Sequence, residues 1–249
     1  MFKNAKLDSK LCAFTLMFIL FLPLLPENVF SWGKQVHVTM TDQSIELMPN
    51  DFFLKYRRDL RLGTVEPDEN RVINHTNVPD CVYMINKLAK KCEEMIKNGE
   101  EWSKVMFTMG QATHYIQDIN NPHHGIGYYI KGDHEKFEEI ATIGYWRKEH
   151  FDGFYLVKNY RIFGINNANW SKKYFDLTYE LTPPYYDNDL YKKLLTPLWN
   201  HSVHSTFHLW LSIMWNGLGE RKYKELGFPD PVGTRDDQRI KFYRITELK

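Results

Sequence analysis

One run of eleven residues constrains this chain more than any other: His114-Tyr-Ile-Gln-Asp118-Ile-Asn-Asn-Pro122-His123-His124. The pattern predicts a helix from about Glu101 through Asp118. His114 and Asp118 are four apart, so both side chains lie on one face of it. Pro122 lacks a backbone N–H and disfavours helical geometry in the residue before it, so the helix must stop there. The turn that follows can carry His124 back towards the same pocket. Two ligand-type side chains on one helical face, with a third returned by a turn, require other elements packed around a polar interior.

Helical periodicity dominates the rest. Val38, Thr41, Ile45 and Met48 recur at three- and four-residue steps from His37 to Met48, and Pro49-Asn50 closes that segment. Asp80 reads as the N-cap of a helix carrying Val82, Ile85, Leu88, Cys92 and Met95, which Asn98-Gly99 ends. His134 to Ile143 and Leu194 to Leu218 also read as helices. Tyr145 to Tyr191, rich in aromatics, Asn, Asp and Pro, reads as long loops with short helical pieces. No repeat, low-complexity tract or linker interrupts the chain. With 249 residues, 43% of them hydrophobic, there is material for one well-filled core. The expectation is an all-α fold, a single compact multi-helix domain over residues 32–249. Charge is nearly balanced, 32 Lys+Arg against 31 Asp+Glu, so no global field draws in a nucleic acid duplex.

The first thirty-one residues read as an address. Lys3, Lys6 and Lys10 precede an apolar run from Leu11 to Leu25, then a polar turn and Val29-Phe30-Ser31. That is the layout of a secretory signal peptide over residues 1–31, and the apolar run is short of the roughly 20 residues a membrane span needs. The expected location is secreted, cell-surface or periplasmic, and cleavage after Ser31 makes Trp32 the first residue. Cys81 and Cys92, eleven steps apart on one helix, lie roughly 16 Å apart at about 1.5 Å per residue. A disulfide needs Cα atoms within about 7 Å, so they do not pair. An exported domain without disulfides needs another staple, and metal is one option.

His134 and Glu138 repeat the four-residue spacing. Taken singly, each such pair reads more readily as an ion pair or a satisfied surface pair than as metal ligands. His114, Asp118, His124, His134 and Glu138 together are far rarer by chance, and imidazole with carboxylate suits zinc. Upstream, Gly63 to Asp68 reads as the end of a polar turn with His75 beyond it; by themselves these are a capping aspartate and a solvated histidine. His37 opens the first helix five residues after Trp32. His123 competes with His124 for the ligand role, and the spacing from Asp118 favours His124. His201, His204 and His208 share a face of the last helix with no carboxylate at matching spacing, so they read as packing residues.

These residues carry a resemblance. The sequence resembles the zinc-dependent phospholipase C family, whose wider superfamily includes single-strand nucleases with the same metal cluster. The family's pattern falls on Trp32, His37, Asp68, His75, His114, Asp118, His124, His134 and Glu138, in order and with matching residue types. The match is strong over roughly residues 32 to 140 and thin beyond. The resemblance implies three zinc ions. Asp68, His75, His114 and Asp118 would hold one; the Trp32 amine and carbonyl, His37 and Asp118 a second; His124, His134 and Glu138 the third. It also implies water attack on phosphorus with no amino-acid nucleophile, Asp68 steering the water and Asp118 bridging two ions.

The leading functional reading is a phospholipase C that acts as a monomer on phospholipid at a membrane surface, releasing diacylglycerol and a phosphorylated head group. A nuclease or nucleotidase on the same core is the second. The Trp32–His37 interval is closer to the nuclease branch, whereas the short His124–His134 loop and Glu138 favour the phospholipase branch. A third reading is a non-catalytic secreted zinc-binding protein, against which stands a ligand set with nothing missing.

Overall fold

The computed structural model describes residues 33–70, 77–125, 153–176 and 188–235, all within the unit Ser31–Lys249. Along the chain run α1 (Lys34–Glu46), a 3-10 turn (Leu54–Tyr56), α2 (Arg57–Asn70), α3 (Val78–Lys97), α4 (Trp102–Ile119) and the single turn α5 (Pro122–Gly125). Then follow β1 (Tyr155–Leu156), α6 (Tyr160–Ser171), α7 (Asn188–Leu218), α8 (Glu220–Glu225) and β2 (Gly233–Thr234). The two strands pair in parallel over two residues each. Among the described residues everything else regular is helical, and the protein is all-α as its periodicity implied.

Helix α4 is the axis. From Val105 to Ile119 nearly every side chain is buried, and α2, α3, α6 and α7 all pack on it. A helix buried all round must sit at the centre of the layers. Its closest neighbour is α2, and two glycines make the approach possible. A Cβ at Gly63 would overlap the Phe107 carbonyl, and one at Gly110 would overlap the Leu60 carbonyl. The two backbones touch where these residues meet.

That contact corrects one expectation. Gly63 to Asp68 is not a polar turn but the middle of α2, with Pro67 inside the helix. Locally this costs about 1 kcal/mol for glycine and about 3 kcal/mol for proline relative to alanine. Burial of Leu60, Gly63, Thr64, Pro67 and Asp68 against α4 and its neighbours offsets it. Gly63 serves close approach, not a turn.

The start of α3 also differs. Asn77 is the N-cap: its Oδ1 accepts from the Asp80 N–H at 2.9 Å, and Pro79 sits in the first turn, where its missing N–H is harmless. Asp80 lies one turn inside, at the positive end of the helix dipole. The C-terminus behaves as read. Gly99 has φ 70°, and the Glu100 and Gly99 N–H groups donate to Met95 and Ile96 carbonyls at 3.0 and 3.1 Å. Cys81 and Cys92 are both buried on α3, and no disulfide joins them.

Within the stretch expected to be long loops with short helical pieces lies α6, three turns long. Asn159 caps it by accepting from the Ile162 N–H at 3.0 Å. Gly164 lets it close on Val82 and Ile85 of α3. The Tyr160 hydroxyl donates to Glu93 Oε1 at 2.7 Å, and Asn216 of α7 donates to the same oxygen at 2.9 Å. One buried carboxylate thus ties α3, α6 and α7 together. Helix α7 starts at Asn188, earlier than Leu194, and runs through Pro197. Trp210 is core: its indole N–H donates to Thr113 Oγ1 at 2.7 Å, and its ring stacks on Phe53, centroids 5.2 Å apart. Among the described residues no helix is long and apolar enough to cross a membrane.

Gly63→Ala and Gly110→Ala should each destabilise the fold by about 2 kcal/mol or more, because backbone cannot yield to the added methyl. Gly99→Ala, strained only by its positive φ, should cost about 1 kcal/mol. Urea denaturation of the three variants checks that order.

Candidate metal centre

The faces of α1, α2 and α4 that meet inside the fold carry charge. His37, His114 and Asp118 are fully buried and Asp68 is 3% exposed. Burying such groups costs several kcal/mol each unless they neutralise one another. They are close enough to do so. His37 Nε2 lies 3.3 Å from Asp118 Oδ1, and His114 Nε2 lies 3.1 Å from Asp118 Oδ2 and 3.7 Å from Asp68 Oδ1. The two imidazoles stack, centroids 4.4 Å apart. One ligand atom each from His37, His114 and Asp118 falls within 4.8 Å of the others, a spacing that could hold a metal ion.

The opposite ring nitrogens decide what these imidazoles offer. His114 Nδ1 is 2.9 Å from the Thr64 carbonyl, which can only accept, so Nδ1 carries the proton and Nε2 presents its lone pair. His37 Nδ1 is 2.7 Å from Gln117 Oε1. That amide is oriented by a directed chain. Gln117 Nε2 donates to Thr41 Oγ1 at 3.4 Å, Thr41 to Thr64 Oγ1 at 3.2 Å, and Thr64 to the Leu60 carbonyl at 2.8 Å. With its nitrogen committed to Thr41, Gln117 turns its oxygen to His37, and in its neutral form the His37 ring also bares Nε2 towards Asp118. Two bare imidazole nitrogens and two carboxylates form a zinc-type donor set, each histidine steered by a partner on its far side.

The electrostatics follow. Burial pushes the His37 imidazole down, but the Asp118 carboxylate beside it, with Asp68 and Gln117 behind, raises it above the ordinary 6.5. Burial would raise Asp118, yet His114, His37 and His124 hold it well below the usual carboxylate range. His124, 1% exposed on α5, therefore lies where its charge reaches Asp118. His123 instead meets Phe175 edge-on, centroids 5.3 Å apart.

Of the predicted site residues, the structure brings together His37, Asp68, His114 and Asp118, with His124 near. Trp32, His75, His134 and Glu138 lie outside the described residues. Sequence reasoning missed Gln117, Thr41 and the Thr64 carbonyl. Gln117 stands inside the diagnostic run, but nothing in its spacing marks it as a partner of His37. A backbone carbonyl leaves no sequence signal at all.

A model of one protein family, described as zinc-dependent phospholipase C, matches residues 36–200. No curated protein matches the chain. No solved structure matches it.

Gln117→Leu, which keeps the volume but loses the acceptor, should weaken zinc binding by roughly 10–100-fold. Competition with a chromophoric chelator measures this. Zinc affinity should also fall as pH drops. Without metal His37 keeps its proton at pH values above 6.5, so zinc must displace it. The decline should therefore begin above the titration range of a free imidazole. A titration from about pH 5.5 to about 8.5 tests the sign.

Proposed function

Because the chain belongs to the zinc-dependent phospholipase C family, we propose that it is an exported phosphodiester hydrolase acting on glycerophospholipid. It would cleave on the glycerol side of the phosphate and release diacylglycerol and a phosphorylated head group. The observation that carries the reading is the buried donor set, in which Asp118 turns one oxygen to each imidazole and the hydrogen bonds behind both rings bare Nε2.

The proposed division of ligands is Asp68, His75, His114 and Asp118 for one zinc; the Trp32 terminal amine and carbonyl, His37 and Asp118 for a second; and His124, His134 and Glu138 for a third. The proximity of His37, His114, Asp118 and Asp68 supports the first two groupings. When bound, zinc supplies a lowered pKa for the attacking water and neutralises charge on a phosphoryl oxygen. Asp118, shared between the rings, sets their spacing. Asp68, buried beside His114, accepts the water's proton or steers the water towards phosphorus. The packed helices α1, α2 and α4 hold these groups in place, so little reorganisation accompanies reaction. The leaving glycerol oxygen takes a proton, and no side-chain nucleophile is consumed.

Export belongs to the same reading. Removal of residues 1–31 would create the Trp32 amine, so the protein would bind its full complement of zinc only outside the cytoplasm. There it would act as a monomer at a phospholipid surface.

Zinc-loaded protein should release phosphocholine from phosphatidylcholine micelles faster than it degrades single-stranded DNA or RNA. The opposite order would make it a nuclease on the same core. Full zinc with no turnover of either would make it a binding protein. Asp118→Asn should lower turnover by at least about a hundredfold. A residue added before Trp32 should lower both zinc content and rate, read by metal analysis beside the assay.

A further inference from the structure

Helices α3 and α6 supply none of the metal-type ligands, yet they leave apolar side chains in water. Tyr83 of α3 is 57% exposed, and Ile162 and Ile165 of α6 are 42% and 39% exposed. Scattered singly such residues mean little, but these share one surface. At Gly164 an added Cβ would lie 3.2 Å from Val82 Cγ2 and 3.5 Å from Ile85 Cδ1, so the two helices touch there. Gly164 and Val82 are buried, whereas their neighbours Ile165 and Tyr83 are exposed and flank the seam on its solvent side. Further along, the Tyr160 hydroxyl donates to Glu93, and the Lys90 ammonium lies 5.4 Å from the Tyr160 ring centroid. Tyr160 thus meets Glu93 while Gly164 meets Ile85 and Val82, so α6 runs along α3 in the opposite direction. Arg161 and Ile162 fall between these two contacts, level with the part of α3 where Lys87 is exposed. The Lys87 ammonium leans back over Tyr83, 5.6 Å from its ring centroid.

Charge on this surface is one-sided. The exposed charges of α3 are Lys87, Lys90, Lys91 and Lys97 against Glu94. From Lys158 to Lys173 the exposed charges are Lys158, Arg161, Lys172 and Lys173, with no carboxylate among them. The whole chain is nearly neutral, 32 Lys+Arg against 31 Asp+Glu, so this face holds an excess that the rest of the molecule cancels. Its position is also informative. Beyond Asn169, α6 abuts the last turn of α4: the Ser171 hydroxyl donates to the carbonyl of Ile119, the residue after Asp118, at 2.6 Å. The basic and apolar face therefore ends beside the turn that carries a central group of the candidate metal centre.

We propose that the exposed side of the α3–α6 pair is the face on which the protein docks to a membrane surface bearing anionic phospholipid. Tyr83, Ile162 and Ile165 supply the apolar contact with the boundary between head groups and acyl chains. Lys87 and Arg161 rim them, with stems that lie along apolar surface while their charges reach phosphate oxygens. Each basic residue near an anionic surface is worth about a fivefold gain in partition. The two helices lie in the plane of the surface and do not cross it. Under the phospholipase reading, on which this rests, the same face brings the enzyme to its lipid.

Sedimentation of zinc-loaded protein with lipid vesicles tests the docking face. The vesicles are made of phosphonate analogues, with carbon in place of the glycerol-side oxygen, so binding is read without hydrolysis. Wild-type protein should partition more strongly onto vesicles containing the phosphatidylglycerol analogue than onto the phosphatidylcholine analogue alone, and salt should shrink the difference. Lys87→Gln with Arg161→Gln should weaken partition onto the anionic vesicles by roughly tenfold or more and leave the neutral ones nearly unchanged. Ile162→Gln with Ile165→Gln should weaken both, and Tyr83→Gln should do so independently from α3. Leu54→Gln with Leu62→Gln, at side chains each 48% exposed outside these helices, should weaken neither. Every variant should hydrolyse monomeric short-chain phosphatidylcholine at the wild-type rate, which with zinc content checks the fold. Vesicle binding in this pattern by a protein that cuts no phospholipid would sink the phospholipase reading and leave the docking face standing. Wild-type binding by the basic, isoleucine and tyrosine variants, or an equal loss in the leucine pair, overturns the docking face. So does a wild-type dimer that Ile162→Gln with Ile165→Gln separates, since the face would then belong to a second copy of the chain.

Discussion

The contact between Gly63 and Gly110 brings the α2 backbone against α4, and the polar interior depends on that closeness. With a side chain at either position the Leu60 and Phe107 carbonyls would be pushed away. The Thr64 carbonyl could then no longer reach His114 Nδ1, and Asp68 would withdraw from the His114 ring. Pro67 fits the same arrangement. It removes one intrahelical hydrogen bond in the turn next to Thr64, whose carbonyl is engaged from outside the helix. A local defect in α2 thus becomes part of the cradle for the candidate metal centre.

Around that cradle the polar groups are ordered by direction as well as by distance. The run of donors from Gln117 through Thr41 and Thr64 to the Leu60 carbonyl has one sense, because it ends on a group that can only accept. Three helices contribute to it, so the His37 tautomer is a property of their packing. The same packing imposes a cost. Two carboxylates and two imidazoles removed from water are held by mutual attraction, and a cation added among them would relieve the remaining negative charge. Folding and metal binding are therefore coupled here, in a fold whose described residues contain no disulfide.

The far side of the molecule uses a different device. Glu93, buried among Tyr160, Asn216 and Lys90, binds α6 and α7 to α3 through one carboxylate with several donors. The same two helices meet again where Trp170 of α6 stacks on His201 of α7, ring centroids 3.7 Å apart.

Much of this was legible from residue order. The all-α class, the helix ending before Pro122 and the shared face of His114 and Asp118 follow from periodicity and from proline's missing N–H. Each is a local property, and local properties survive in a sequence. Three features were not legible. Gly63 and Pro67 carry a turn signal that only the approach of α4 overrides. Helix α6 is written in Tyr, Asn and Trp, and it is stabilised by Glu93, far away in the chain. The orientation of the His37 and His114 rings rests on a glutamine amide and a backbone carbonyl whose meaning appears only when three helices meet. Sequence by itself determined which donor types are present and which of them share a helix. Tertiary structure decided which nitrogen each histidine offers, because hydrogen bonds across helices have a direction that spacing along one helix cannot encode.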